Sequence, residues 1–179
     1  MRFIIHSEVF EQLPTLCIGV VVAEDLDHRR PAEQIEQLRQ QAIEKARSRL
    51  KGANLKEHPA ISVYRDAFRL LGFNPNRFPS SIEALASRVV KGGEPPRINP
   101  LVDLVNAVSL KHLLPMGAHD LDSIAGEIAV RFSAPGETFT PLGESEPEEV
   151  PAGELVYADH REIRTRRWIW RQNDRGKVT

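Results

Sequence analysis

The sequence falls into two parts whose apolar residues recur with different periods, and this division constrains the fold more than any other feature. Between residues 31 and 113, four segments carry apolar side chains at the three- and four-residue spacing of helices that bury one face. Beyond Pro115, the segments alternate polar and apolar residues and are rich in β-branched and aromatic side chains, as strands are. Because helices precede strands, we predict one α+β domain over residues 1–179, with N-terminal strands and helices followed by a mostly antiparallel C-terminal sheet.

Local signals give the predicted ends of these elements. Ser80 and Glu83 have the spacing of a capping box, and Asn99 followed by Pro100 is typical of a helix start. Glycines follow three of the four helical segments, where they favour a helix end. The predicted helices run from Pro31 to Gly52, from Ala60 to Leu71, from Ser80 to Gly92 and from Asn99 to Leu113. The predicted strands of the second part are Glu127–Ser133, Glu154–Ala158 and Ile163–Arg171.

An apolar run near the N-terminus, from Thr15 to Ala23, is rich in β-branched residues and predicts a buried strand. We expect residues 3–6 to form a short partner strand, with residues 7–12 as the connection. Cys17 lies inside the apolar run, so we interpret it as a packed thiol rather than as a nucleophile.

The composition excludes several classes of protein. The chain has 179 residues, 41% of them hydrophobic, and 24 basic against 25 acidic residues give a formal net charge of −1. These values are typical of a globular protein and not of a disordered, fibrous or polybasic one. No run approaches the ~18 apolar residues of a membrane span, and the N-terminus turns polar too quickly for a signal peptide. We therefore expect a cytoplasmic protein with no membrane partner.

The motifs of common cofactor and metal enzymes are absent from the sequence. It contains no P-loop, no dinucleotide-binding glycine pattern, no Gly-x-Ser-x-Gly, no His-Glu-x-x-His and no Cys-x-x-Cys. The single cysteine cannot form an internal disulfide, and the six histidines are scattered. We therefore predict neither a metal nor a cofactor.

Three polar side chains lie on one stripe of the predicted fourth helix. At about 100° per residue, Asn99, Asp103 and Asn106 fall within about 60° of one another, opposite an apolar face. This stripe is a solvated face, a structural network of hydrogen bonds or a binding site. Short amides and a carboxylate, in place of Lys, Arg and Glu, favour fixed hydrogen bonds to the backbone or to a ligand.

Acidic and basic residues separate along the last part of the chain. Residues 132–159 hold seven acidic and no basic residues, and residues 160–177 hold seven basic against two acidic ones. If this segment is one strand, one face carries Arg166, Trp168 and Trp170, and the opposite face carries Arg167, Ile169 and Arg171. Arginine with exposed tryptophan is suited to phosphate contact and base stacking. The alternative is an aromatic face in the core, with arginines that pair with the acidic segment.

His119 and Asp120 are adjacent, and a histidine beside a carboxylate can act as a general base with an orienting partner. Adjacent side chains rarely face each other, which weighs against this pair.

Two motifs resemble a known family. They are Ile98–Asn106, with the sequence INPLVDLVN, and Leu114–Asp122, with the sequence LPMGAHDLD. Together they resemble the B3/B4 editing and tRNA-binding module of the phenylalanyl-tRNA synthetase beta chain. Shorter matches extend the resemblance over most of the chain from about residue 60: Arg65, Asn74–Pro75, Ser80–Leu85, Ile128–Arg131, Gly136–Phe139 and Leu155–Asp159.

The resemblance implies an α+β fold and the hydrolysis of mischarged tyrosyl-tRNA in a pocket with an asparagine, a histidine and a glutamate. Asn106 matches the asparagine. Gly117 stands in place of the histidine, and His119 follows two residues later. The region of the glutamate reads Trp170–Arg175, without a glutamate. Such a changed pocket is expected to discriminate a different amino acid.

From this resemblance we predict a trans-acting aminoacyl-tRNA editing deacylase. The predicted catalytic residues are Asn106 and His119, and the predicted substrate-binding residues are Asn99, Asp103 and Gly117. The predicted contacts with the acceptor end of tRNA, the expected partner, are Arg164, Arg166, Trp168 and Arg171. The alternative function is a non-catalytic module that binds tRNA or an amino-acid-like ligand. Relatives of the B3/B4 module continue into a further closing segment, so we expect this chain either to be shortened at its C-terminus or to close its fold differently.

Overall fold

The computed structural model describes residues 2–26 and 33–179 as a mixture of helices and strands. The helices are α1 (Ser7–Gln12), α2 (Glu33–Leu50), α3 (Pro59–Leu70), α4 (Ser81–Val90) and α5 (Pro100–His112). The strands are β1 (Phe3–Ile5), β2 (Ile128–Phe132), β3 (Thr138–Phe139), β4 (Glu148–Glu149), β5 (Leu155–Ala158), β6 (Ile163–Arg166) and β7 (Arg171–Gln172). The predicted α+β class is confirmed. Among the described residues, no helix is long and apolar enough to cross a membrane.

The described residues form two compact units. The helical unit comprises residues 23–26, 33–66 and 75–118, and the sheet unit comprises residues 2–22, 67–74 and 119–179.

The helical unit has its own apolar core, to which α2, α3, α4 and α5 contribute. Its fully buried side chains include Ile43, Leu50, Ile61, Ile82 and Leu110. The Ser80 hydroxyl accepts the Glu83 N–H at 3.4 Å, as the predicted cap requires, and α4 begins at the next residue. The Glu83 carboxylate pairs with Arg65 at 2.6 Å instead of completing the capping box. The predicted start of α2 at Pro31 lies outside the described residues.

The sheet unit contains a five-stranded sheet in the order β1-β2-β5-β6-β7. β1 runs parallel to β2, whereas the other three neighbouring pairs are antiparallel. The sheet is therefore mostly antiparallel, as predicted. β3 and β4 form a separate two-stranded ribbon, and the core contains Phe139, Val150, Val156, Ala158 and Ile163.

The prediction of a buried strand at residues 15–23 is wrong. These residues form no strand, and Val21 is 93% exposed. β1 pairs with β2 instead, and the connection predicted at residues 7–12 is helix α1. Cys17 is exposed, so its interpretation as a packed thiol is also wrong. Strand propensity was a poor guide here because it depends on neighbours that a residue packs against.

The prediction of one strand over residues 163–171 is also wrong. β6 ends at Arg166 and β7 begins at Arg171, so this segment is a hairpin. At the turn, Arg167 and Trp168 have φ values of 46° and 59°, in the left-handed region that bulky residues rarely adopt. The alternation of side chains expected for a single strand is therefore broken.

Candidate functional site

The polar stripe of α5 begins with a helix cap. The Asn99 side chain accepts the Val102 N–H at 2.9 Å, and Asp103 Oδ1 accepts the Ile98 N–H at 3.1 Å. Asn99 and Asp103 therefore form structural hydrogen bonds, one of the three interpretations of the stripe, because they satisfy backbone donors at the helix start. Asn106 is half-buried about two turns after Asn99, on the same stripe.

A surface pocket of about 340 Å³ opens beside this cap. Asn99 and Asp103 line it together with Glu33, Glu36 and Arg97. Arg97 donates to both carboxylate oxygens of Glu36 at 2.8 Å. Hydrogen bonds from Gln40 and then from Arg97 lower the pKa of Glu36. Two of the three predicted substrate-binding residues, Asn99 and Asp103, thus share a concave, charged surface.

The third predicted substrate-binding residue, Gly117, is exposed. A Cβ built on it would meet nothing within 4 Å, and its φ is not in the left-handed region. Neither steric crowding nor backbone conformation therefore requires glycine at this position.

His119 belongs to the sheet unit, where its partner is Gln172. The His119 Nδ1 atom lies 3.3 Å from Gln172 Nε2, and the imidazole stacks against the Tyr157 ring at a centroid distance of 6.3 Å. Burial, and then the positive charge of Arg164, lower the pKa of His119 from 6.5 to about 4 against the opposing effect of Asp159. His119 is consequently neutral at neutral pH.

Asp120 is not the orienting partner of His119. Its Oδ1 accepts the Asp122 N–H at 3.1 Å and caps a short 3-10 helix at Leu121–Ser123. Gln172, whose side chain lies within hydrogen-bond distance of His119 Nδ1, is far along the chain in β7. Sequence reasoning missed Gln172 because no local pattern marks a contact over this separation.

Arg164 is fully buried, with 0% exposure. Its Nε donates to Asp159 Oδ2 at 2.9 Å, its Nη2 also donates to the Ser123 carbonyl, and its Nη1 lies 3.5 Å from Glu162 Oε1. A guanidinium enclosed by two carboxylates cannot reach a phosphate in this conformation. The predicted tRNA contact of Arg164 is therefore contradicted by its burial.

Arg166 is also enclosed, at 6% exposure. Its Nε and Nη2 donate to the two oxygens of Glu154 at 2.8 and 2.7 Å, and its Nη1 donates to Glu148 at 2.6 Å. Trp168 is 7% exposed. The predicted tRNA contacts of Arg166 and Trp168 are contradicted for the same reason as that of Arg164. Of the alternative interpretation, the pairing of arginines with the acidic segment is observed and Trp168 is buried, whereas Trp170 is only half-buried.

Glu154 joins this pairing to the hairpin turn. Its Oε1 also accepts the Arg167 N–H at 3.1 Å, and its Oε2 lies 3.3 Å from Arg167 Nη2. The Arg167 guanidinium lies 4.5 Å from the centroid of the Trp170 ring, within cation–π distance. One buried carboxylate thus holds both arginines that flank the start of the turn.

Arg171, the fourth predicted tRNA contact, keeps an accessible side chain. It is 40% exposed and pairs at 3.5 Å with Glu144, which is itself 57% exposed. Arg175 and Lys177 are exposed further along the chain. These three cations, of which Lys177 pairs with Asp174 at 2.9 Å, contribute to the accessible positive charge of the last segment, as does the exposed Arg161.

The predicted site residues divide between the two units. Asn99, Asp103, Asn106 and Gly117 belong to the helical unit, and His119, Trp168 and the predicted arginines belong to the sheet unit. In the described part of the chain, no group of three or more His, Cys, Asp or Glu side chains is arranged to hold a metal ion.

The fold and these side chains define an α+β domain with a capped polar helix and a sheet stabilised by buried arginine–carboxylate pairs. Residues 63–179 match the B3/4 domain family, and the chain belongs to that family.

Curated relatives agree with this assignment. The chain is 48% identical over 63 residues to the phenylalanine–tRNA ligase beta subunit of Vibrio parahaemolyticus. The matched segment covers 35% of the chain and 8% of that protein. It is 41% identical over 61 residues to the same subunit of Mycolicibacterium paratuberculosis, over 34% of the chain and 7% of the relative. It is 43% identical over 63 residues to the same subunit of Yersinia pestis, over 35% of the chain and 8% of the relative. The resemblance to this subunit is confirmed, and the match spans less than a tenth of each relative.

Proposed function

We propose that this chain is an aminoacyl-tRNA deacylase that acts in trans, on tRNA charged by a separate synthetase. The observation that carries the proposal is the B3/4 match over residues 63–179, which contains both Asn106 and His119. The relatives are tRNA ligase subunits by name, which makes a charged tRNA the natural substrate class. We place the activity in the cytoplasm, where tRNA is charged.

The chemistry is hydrolysis of the ester between an amino acid and the terminal ribose. A water oxygen adds to the ester carbonyl carbon, the bond to the ribose oxygen breaks, and that oxygen takes up a proton. Asn106 offers an amide with both donor and acceptor atoms to hold the substrate or the water. Asn99 and Asp103 fix the start of α5, which carries Asn106. Such positioning alone can supply much of the acceleration.

We propose Arg171, Arg175 and Lys177 as the cations that contact the tRNA backbone. The Arg171 side chain is 40% exposed, and Arg175 and Lys177 are exposed, which supports this role, whereas the enclosed guanidiniums of Arg164 and Arg166 support the fold. Each phosphate contact adds to the salt dependence of binding, with a slope of about −0.7 to −0.9 per contact on a logarithmic plot.

The test is the release of amino acid from a panel of tRNAs, each charged with a correct or an incorrect amino acid. We expect release above the spontaneous rate for at least one mischarged tRNA and little for correctly charged ones. Folded protein that accelerates none of them would refute the enzymatic proposal. Arg171→Gln should weaken binding and reduce its salt dependence, with Glu149→Gln on exposed β4 as the control.

A second candidate is a non-catalytic module that binds tRNA or an amino-acid-like ligand. The observation that favours it is the pKa of His119, which burial lowers to about 4 and which makes the imidazole a weak base. Salt-dependent tRNA binding without hydrolysis of any charged tRNA would select this function.

A further inference from the structure

We infer that Gln172 is a positioning residue that fixes His119 as a neutral hydrogen-bond donor rather than as a general base. The chemical consequence of this inference rests on the proposed deacylase function. The geometry that supports it comes from contacts within the sheet unit.

The first step concerns the orientation of the Gln172 amide. Gln172 Nε2 lies 2.9 Å from the Gly176 carbonyl oxygen and 3.3 Å from His119 Nδ1. A backbone carbonyl can only accept hydrogen bonds, so the amide nitrogen, and not its oxygen, has to face Gly176. With one hydrogen directed at Gly176, the second hydrogen of the same nitrogen is directed at His119.

The second step concerns the tautomer of His119. Because Gln172 donates to Nδ1, this ring nitrogen is the acceptor and carries no proton. The proton of the neutral imidazole is then on Nε2. Protonation of Nδ1 would point its N–H at the N–H of Gln172, which disfavours the charged ring. This agrees with the low pKa of His119, which burial and Arg164 lower.

The Gly176 carbonyl is itself held in place. The Gly176 N–H donates to Asn173 Oδ1 at 2.9 Å, and Asn173 is fully buried. A Cβ on Gly176 would lie 2.7 Å from Asn173 Oδ1 and 3.3 Å from His119 Nδ1, so a larger residue would displace one of them. Glycine at this position therefore permits the close approach that orients Gln172.

Among the residues that the structure describes, the titratable groups near the imidazole do not act as bases toward Nδ1. Arg164 is a cation, Asp159 is bound to it, and burial raises the pKa of Tyr157 to about 12, so that this phenol stays neutral. Asp120, the neighbour in sequence, caps the 3-10 helix.

An Nε2–H donor has a defined use in ester hydrolysis. It can donate to the carbonyl oxygen as water adds and negative charge grows there, without giving up its proton. The proton lost by the attacking water then passes to solvent or to the substrate's own hydroxyl groups, and the leaving ribose oxygen is protonated in turn. His119 acts in this step through a hydrogen bond alone.

The test is a long-range ¹H–¹⁵N correlation spectrum of the protein with labelled histidine at pH 7, in which His119→Gln assigns the His119 signals. We expect the pattern of a neutral ring with a protonated Nε2 and a bare Nδ1. A protonated Nδ1, or an imidazolium at pH 7, would overturn the inference. This measurement needs no substrate and uses the native residue at position 172.

Gln172→Glu provides the matched variant, because a carboxylate accepts where the amide donates. We expect His119 to change to the Nδ1–H tautomer, its pKa to rise, and deacylation at pH 7 to fall about a hundredfold if the Nε2–H donor is lost. A neutral ring that keeps its proton on Nε2 and leaves Nδ1 bare in this variant would contradict the positioning role. Absence of deacylation in the wild type would refute the proposed function, while the spectra would still decide the tautomer.

Discussion

Glu154 shows how much of this molecule's charge is used inside the fold. Glu154 is 4% exposed, and its carboxylate accepts two hydrogen bonds from the Arg166 guanidinium. The same carboxylate contacts the backbone N–H and the guanidinium of Arg167. Removing one partner of such a group leaves the others charged and buried, which costs more than the bond itself. At the scale of single residues, the buried arginines of the last segment, Arg164, Arg166 and Arg167, are therefore structural side chains.

We expect Glu154→Gln to lower the free energy of unfolding by about 3 kcal/mol, because two buried guanidiniums lose their shared counter-charge. Urea unfolding followed by circular dichroism measures this change. Glu149→Gln, on the exposed β4, should stay within about 0.5 kcal/mol of the wild type. A similar, small effect for both variants would show that the Glu154 pairs contribute little.

His119 predicts a pH dependence of stability. Burial lowers its folded-state pKa from 6.5 to about 4, so below pH 6.5 the unfolded chain binds a proton that the folded chain does not. Stability from this group is complete above pH 6.5 and falls as the pH drops toward 4. Between pH 7 and pH 5 the loss is about 2 kcal/mol.

The measurement is urea unfolding at pH 7 and pH 5 for the wild type and His119→Gln. The wild type should lose about 2 kcal/mol more than the variant between the two pH values. Equal losses would mean that His119 titrates normally in the folded protein.

At the scale of elements, the helices were predictable where their signals are local. The Asn99–Pro100 start of α5 and the Ser80 cap of α4 are found where the sequence places them, because a cap involves residues three apart. The hairpin between β6 and β7 was not predictable, because the carboxylate that holds its turn comes from Glu154, outside the segment. The pairing of β1 with β2 likewise joins distant parts of the chain.

The cap of α5 gives a prediction for this element. Asn99→Ala should lower the unfolding free energy by about 1 kcal/mol, because the Val102 N–H loses its acceptor. Asn99→Asp keeps an acceptor at the same place and should stay close to the wild type in thermal unfolding. If both variants are destabilised equally, the role of Asn99 is not that of a cap.

At the scale of the whole molecule, the sequence was sufficient for the fold class and the family, and insufficient for the surroundings of the site. Asn106 and His119 were predicted as site residues from motifs of adjacent residues, whereas Gln172 approaches His119 only in the folded sheet unit. The separation of acidic and basic segments was visible in the sequence. Only the structure shows that the two segments neutralise each other where Arg166 pairs with Glu148 and Glu154.

The hydrolysis of the best mischarged tRNA, compared between the wild type and Asn106→Ala under single-turnover conditions, tests the proposed deacylase most directly. Asn106 is half-buried on α5, so the variant should fold, which its thermal unfolding will verify. We expect the wild type to exceed the spontaneous rate and the variant to be slower by about a hundredfold. A folded Asn106→Ala protein that hydrolyses the ester as fast as the wild type would contradict the proposed site, and a wild type no faster than buffer would contradict the deacylase itself.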